Sequence, residues 1–426
     1  MCTPSAILRR VMDNSQLSAR PDDEAANRNT REHDGPRCAG EEATTMTRLD
    51  GHAVCMALAE LTATPIHHGT DLELLRDGGA YFPALLASVR RAEETVAVQV
   101  YRFHGGVTAT NFADAFADRA RAGVAVRVLI DDYGTGGMDR DLARLLADAG
   151  VSVRTYNPMT VQNALRLNQR NHRKLIAIDD TEAYIGGFNL DDVFSGSPEH
   201  PPWRENAVRI RGALVETIAA SIDEAWSGAR VGGARAVVPQ CASSSLPHAQ
   251  LLLSDHDHQR LRLALLHVLA RARHSVNVSS AYFIPERDIA AALQSASRRG
   301  VHVRVLTAGA HNNIRVARLA SHAVYGELLQ DGVRIFEYRP AMLHAKTVTV
   351  DGMWCTVGSA NLDACGLRFN LESQIATCDA GFVRAVSDSF SGDLLNADEV
   401  TAAAWQRRSI ARRAGDHLAR PLRFVL

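Results

Sequence analysis

At 426 residues the chain is long enough for two or three domains, and with 46% apolar and 22% charged residues its composition is that of an ordinary globular protein. A formal net charge of −1 excludes a chain-wide polycation, so an anionic partner must be gripped by a local cluster of Arg and Lys. No stretch reaches the roughly 18 uninterrupted apolar residues of a membrane span, and the scattered cysteines, without a C-x-x-C pair, argue against a zinc knuckle, a redox dithiol or a disulfide scaffold and fit a reducing compartment.

Residues 1–50 are rich in Arg, Asp, Glu, Asn, Thr and Pro and lack apolar periodicity, so they read as disordered, with Met46 as an alternative start. Asp13, Asn14 and Gln16 interrupt the opening too early for a signal-peptide core. The run from Ala53 to Ala63 is too short for a span and contains Glu60. From residue 68 onward helical and strand patterns alternate. Ala80 to Ala92 reads as an amphipathic helix, Thr95 to Tyr101 as a strand, and Asn111 to Ala122 as a helix. Val124 to Ile130 reads as a buried strand, Asp139 to Ala149 as a helix, and Val151 to Tyr156 as a strand. The second half repeats the order: helix Gln259 to Ala272, strand Ser275 to Ser280, helix Asp288 to Arg298, strand Val301 to Leu306, helix His322 to Leu329 and strand Val333 to Tyr338.

The wording recurs as well, RAGVAVRVLID against RRGVHVRVLTA. A repeat this long signals a duplicated domain. The expected fold is α/β: two similar lobes, residues 51–240 and 241–426, each a mixed, largely parallel sheet flanked by helices. A pseudo-twofold axis relates them, and the active site lies between.

The chemistry-bearing residues fall at the same place in each repeat. His172, Lys174 and Asp179 form H-x-K-x4-D, followed by Gly186, Gly187 and Asn189; His344, Lys346 and Asp351 repeat the spacing, followed by Gly358, Ser359 and Asn361. Alternation puts His and Lys on one face of an extended segment. The Asp then opens a turn between two apolar runs, a hairpin signal where Asp351-Gly352 follows Thr347 to Val350. One such motif arises by chance; two at equivalent positions, each with G-[GS]-x-N behind it, do not.

Downstream, Glu205 and Glu372 each precede a further apolar alternation. A carboxylate behind an imidazole fixes its tautomer and stabilises its cation, and the matching order in the two halves pairs Glu205 with His172 and Glu372 with His344. Lys174, Lys346, Asn189 and Asn361 supply cations and amide donors for the non-bridging oxygens of a phosphodiester. One histidine then attacks phosphorus to give a covalent phosphohistidine while the other protonates the departing oxygen and later deprotonates the resolving water or alcohol. This scheme needs no metal and no cofactor.

Other features are weaker. The DHDH run from Asp255 to His258 reads as a helix start with Ser254 as N-cap, and His67-His68 as a surface loop. Asp131, at the end of a buried strand, Tyr282 and Ser359 are candidates for the substrate rim.

The paired motifs resemble those of the phospholipase D superfamily from about residue 68 to the C-terminus, and the segments HRKLIAID, YGELLQDGVRIFEYRPAMLHAKTVTVD and GSANLDACGLRFNLES are most similar to bacterial cardiolipin synthases of the short, peripheral type. The resemblance implies phosphatidyl transfer between phospholipids, with phosphatidylglycerol as donor and acceptor, His172 as nucleophile and His344 as general acid. It also implies a cytoplasmic protein peripheral to the inner membrane, with a phospholipid substrate as partner. Cys365-Gly366 stands where the family commonly carries Arg-Ser, and Glu205 where many members place Asp. Hydrolysis to phosphatidic acid and a metal-independent nuclease are alternatives on the same scaffold. The nuclease reading ranks lower because aromatics are 6% of the chain, too few for a base-stacking groove. A catalytically dead scaffold is disfavoured by the intact His-x-Lys units.

Overall fold

The computed structural model describes residues 51–160, 163, 169–197, 199–228 and 247–421. The readings made for residues 1–50, and the lobe boundary at 240/241, lie outside them.

Strand Thr95–Val100 shows how the pattern becomes a layer. Val96, Val98 and Val100 turn to one side and pack with Leu85, Phe112 and Phe116 of the flanking helices Asp77–Arg91 and Val107–Arg121. Ala97, from the other face, joins Leu175 and Ala177 in a second core. A strand buried on both sides loses the apolar–polar alternation of a solvated one and reads as a continuous apolar run. That second core also takes Val208 and Ile210 from the first half and Leu251, Val357, Ile375 and Val383 from the second. The two halves therefore share one hydrophobic interior.

Each half builds a mixed sheet. The first has seven strands in the order Thr70–Arg76, Asn206–Gly212, Glu182–Gly186, Leu175–Ile178, Thr95–Val100, Ala125–Asp131 and Ser152–Tyr156. The second repeats this with His248–Ser254, Glu372–Thr377, Trp354–Gly358, Thr347–Val350, Ser275–Ser280, His302–Ala308 and Arg334–Tyr338, and adds short edge strands His67–His68 and Ala397–Val400. The three strands linked by helical crossovers are parallel in each sheet, and the hairpin and the strands beyond it are antiparallel. The parallel part is thus smaller than expected, because the His-x-Lys hairpin reverses the chain.

Residues 51–68 pack mainly against the second half, with His67 also 3.3 Å from Thr217 of the first. Helix Gly51–Thr62 packs on helix Arg260–Arg271, and His67–His68 pairs with His248 and Ala249. Cys55 on that helix is bonded to Cys378. This corrects the reading against disulfides: spacing rules see only local pairs, and these two cysteines are 323 residues apart in sequence.

Candidate active site

Both His-x-Lys segments are extended and lie just before the hairpins Leu175–Gly186 and Thr347–Gly358, and each is held by backbone bonds to the opposite half. His172 N donates to Leu371 O (3.0 Å) and Leu371 N donates to Arg170 O (2.8 Å). In the mirror position His344 N donates to Arg204 O (2.7 Å) and Arg204 N to Met342 O (2.9 Å). Glu372 follows Leu371 and Glu205 follows Arg204, so each histidine meets the carboxylate of the other half.

His172 Nδ1 lies 2.8 Å from Glu372 Oε1, and His344 Nδ1 lies 2.5 Å from Glu205 Oε2. The same-half pairing expected from sequence order is therefore reversed. Order within a repeat cannot say which of two symmetry-related copies is the neighbour; the backbone bridges decide it.

The two carboxylates are held differently. Ser359 Oγ donates to Glu372 Oε2, and Ser359 is wholly buried, so it positions Glu372 and does not form a rim. At the equivalent place a Cβ on Gly187 would overlap the Glu205 carboxylate, so glycine there is a space requirement. Glu205 also takes an ion pair from Lys346 Nζ at 3.2 Å, and Lys346 Nζ lies 2.8 Å from His344 Nδ1. Each lysine also donates to the carbonyl of its own histidine, Lys346 Nζ to His344 O and Lys174 Nζ to His172 O at 2.7 Å, and Lys174 Nζ sits 5.2 Å from the centre of the Tyr101 ring.

Burial dominates the electrostatics. It brings the Lys174 ammonium down to about 7 and lowers Lys346, while Glu372 and Glu205 oppose the shift. It raises Glu205 against the pull of Lys346. His172 is lowered by burial, with Glu372 resisting; His344 is pushed well below the usual histidine range by burial, then by Lys346, Lys174 and His172. Burial thus favours the neutral form of each imidazole, and an arriving phosphate anion would raise both.

His172, His344, Asn189 and Asn361 line one cavity of about 730 Å³. Asn189 Oδ1 accepts from Arg102 N at 3.1 Å. Asn361 Oδ1 is buried with no hydrogen-bond partner among the described residues. Tyr282 lies on the cavity wall, its hydroxyl donating to Asn313 Oδ1 at 2.7 Å.

Three sequence-selected residues lie elsewhere. Asp179 and Asp351 are at the far ends of their hairpins with φ of 49° and 53°. Asp179 accepts from the backbone N–H of Glu93, Glu94 and Thr95, and Asp351 from those of Arg273, His274 and Ser275. They fasten the hairpin to the start of the central parallel strand and take no part in the catalytic cluster. Asp131 is fully buried, accepting from Gly134 N and Asn171 N; it braces the backbone beside His172 and is not on the rim. Asp255 accepts from Asp257 N and His258 N, so the DHDH run is a turn ahead of helix Arg260–Arg271, whose N-cap is Gln259; Ser254, read as the cap, ends strand His248–Ser254, although its Oγ accepts from Leu261 N.

Sequence reasoning missed the rings around the histidines. Tyr101 lies 5.0 Å from the His172 ring, and Phe194 and Trp203 each lie 5.4 Å from the His344 ring. It also missed Asp363, a buried cavity-wall carboxyl raised by desolvation to about 8. The signal was present: Asn-Leu-Asp occurs at 189–191 and again at 361–363.

Two stretches, residues 85–216 and 265–394, match the family described as "Cardiolipin synthase, PLD-like domain". Cardiolipin synthase A of Pseudomonas entomophila is 31% identical over 390 residues, covering 91% of this chain and 81% of that protein. Cardiolipin synthase A of Pseudomonas putida is 31% identical over 392 residues with the same coverage. Among solved structures, phosphatidylserine synthase of Haemophilus influenzae matches with a TM-score of 0.66 at 12% identity, over 88% of this chain and 100% of that one, a likeness of fold.

Proposed function

Because the chain belongs to the PLD-like family of cardiolipin synthases, we propose that it transfers a phosphatidyl group from one phospholipid to the free alcohol of a second, phosphatidylglycerol serving as both, through a phosphohistidine and without a metal. The observation that carries this reading is the reciprocal arrangement of the two imidazoles. Each Nδ1 is engaged by a buried carboxylate of the opposite half, which leaves each Nε2 for a shared cavity.

The difference between the carboxylates supports the division of labour. Lys346 contacts both Glu205 and His344, whereas Lys174 makes no hydrogen bond to Glu372 among the described residues, and His344 is pushed further below the usual histidine range than His172. His172 is thereby the more basic imidazole and the nucleophile. Its Nε2 bonds to phosphorus as the P–O bond to the leaving glycerol breaks, and His344 Nε2 donates the proton that the departing oxygen needs. His344 then takes the proton of the incoming hydroxyl, which attacks phosphorus and frees His172. Two displacements give net retention. Lys174, Lys346, Asn189 and Asn361 surround the phosphoryl oxygens with positive charge and amide donors.

Among the described residues no helix is long and apolar enough to cross a membrane. Tyr133, Met159 and Ile314 at the cavity, with Val316 and Leu319 on the adjoining helix Arg315–Gln330, are exposed apolar side chains. They would meet a bilayer at the cavity mouth, with the protein peripheral to the cytoplasmic membrane.

Mass spectrometry of purified enzyme with phosphatidylglycerol vesicles, in chelator, tests the reading. Cardiolipin and glycerol are expected, lost in His172→Ala and His344→Ala. Phosphatidic acid alone would make it a hydrolase; inertness on all glycerophospholipids, or metal-free cleavage of single-stranded DNA instead, would overturn it.

A further inference from the structure

Strand Glu372–Thr377 begins at the catalytic carboxylate and ends beside Cys378, about 20 Å away at ~3.3 Å per residue. At that remote end three donors converge: Cys55 Sγ, Cys378 Sγ and a ring nitrogen of His248 lie within 4.8 Å of one another. Cys55 and His248 are buried, and Cys55 and Cys378 are joined as a disulfide. Two more imidazoles lie against the His248 ring, His68 at 5.9 Å and His52 at 6.2 Å between centroids. His52 precedes Cys55 by three residues on the same helix, so the two share a face.

A disulfide clasp needs two sulfurs only. Three imidazoles gathered round it make the donor set of a borderline-soft cation, two thiolates with one or two histidines. Zinc bonds of ~2.3 Å to sulfur and ~2.0 Å to nitrogen place tetrahedral donors roughly 3.3–3.8 Å apart. That spread fits inside the observed cluster once the sulfurs part.

We propose that in the reduced protein Cys55, Cys378 and His248, with His52 or His68 as fourth donor, bind a zinc-class divalent cation that replaces the disulfide in clasping helix Gly51–Thr62 to the second sheet. A dithiol or phosphine reductant supplies two electrons and is itself oxidised, and the disulfide takes two protons to become two thiols. Metal binding then releases both thiol protons as thiolate–metal bonds form.

Full-length protein, chelator-stripped and reduced with a phosphine, is incubated with Zn²⁺ and desalted, and bound metal is counted by plasma mass spectrometry. One zinc per chain is expected, none in the oxidised protein and none in Cys55→Ser/Cys378→Ser. In the wild type, zinc should slow alkylation of Cys55 and Cys378 at least tenfold while leaving Cys365 unchanged, a readout that does not depend on how the variant folds. Failure of the reduced protein to take up zinc, equal uptake by the double variant, or alkylation of Cys55 indifferent to zinc would each overturn the proposal. His172→Ala should bind zinc normally, which separates this site from the catalytic reading.

Discussion

Glu372→Gln tests the crossed pairing directly. The substitution keeps volume but removes the charge facing His172 Nδ1 at 2.8 Å, where Glu372 is 1% exposed and the imidazole 14%. Removing one partner of a buried charged contact costs about 3–5 kcal/mol, and glutamine recovers part of that by keeping a hydrogen bond. A transition-state loss of about 3 kcal/mol is roughly a hundredfold in kcat at ~1.4 kcal/mol per decade. The informative comparison uses two substrates, phosphatidylglycerol and a phosphodiester with an activated aryl leaving group that departs without a proton. Variants that weaken the general acid recover the first burst of aryl release on the aryl ester, the step that precedes the need for His344 as base; variants that weaken the nucleophile do not. Glu372→Gln should therefore track His172→Ala and stay slow on both, while Glu205→Gln should track His344→Ala and recover. If Glu372→Gln instead follows the His344 variant, the crossed arrangement and the reasoning built on it are wrong.

Asp179→Ala and Asp351→Ala should each cost about 1–2 kcal/mol of stability, as for loss of a cap that satisfies backbone donors, with kcat and KM of the folded enzyme unchanged. Denaturant titration beside steady-state kinetics checks both. Asp363 holds its proton in the folded protein to about 8 against 3.8 unfolded, so its contribution is complete below pH 3.8 and lost as pH rises through 8. Asp363→Asn should flatten this dependence and raise Tm relative to wild type at pH 8–9, measured by scanning calorimetry; an unchanged profile would contradict it. Replacing Tyr133, Met159 and Leu319 together by Ser should cut vesicle sedimentation at least fivefold while sparing turnover of a short-chain monomeric phospholipid, and equal losses on both substrates would count against a membrane-facing rim.

The duplicated α/β architecture and the two His-x-Lys units are legible in the sequence because they are local or repeated. Thr95–Val100 and Ser275–Ser280 read as strands from their own composition, and the residue pairs recur at fixed spacing. Strands Thr70–Arg76 and His248–Ser254 were not legible, since each earns its conformation from a neighbour distant in sequence. The same limit explains Asp179: in sequence it stands in line with His172 and Lys174, and only the hairpin shows that it faces the other end of the sheet. The carboxylate exchange was hidden for a third reason. Two copies of one pattern are indistinguishable until something fixes which copy touches which, and here that is done by bridges at Asn171 with Leu371 and at Arg204 with Leu343.

That exchange sets a minimum unit of activity. A single half carries an imidazole whose carboxylate belongs to the missing half, together with a carboxylate that has no imidazole to serve. Two copies of one half, docked head to head, would regenerate both dyads at once, whereas a lone half would hold neither. Fusion into one chain is what allows the dyads to diverge, a serine backing one carboxylate and bare glycine the other, so that two matching modules hold unlike surroundings.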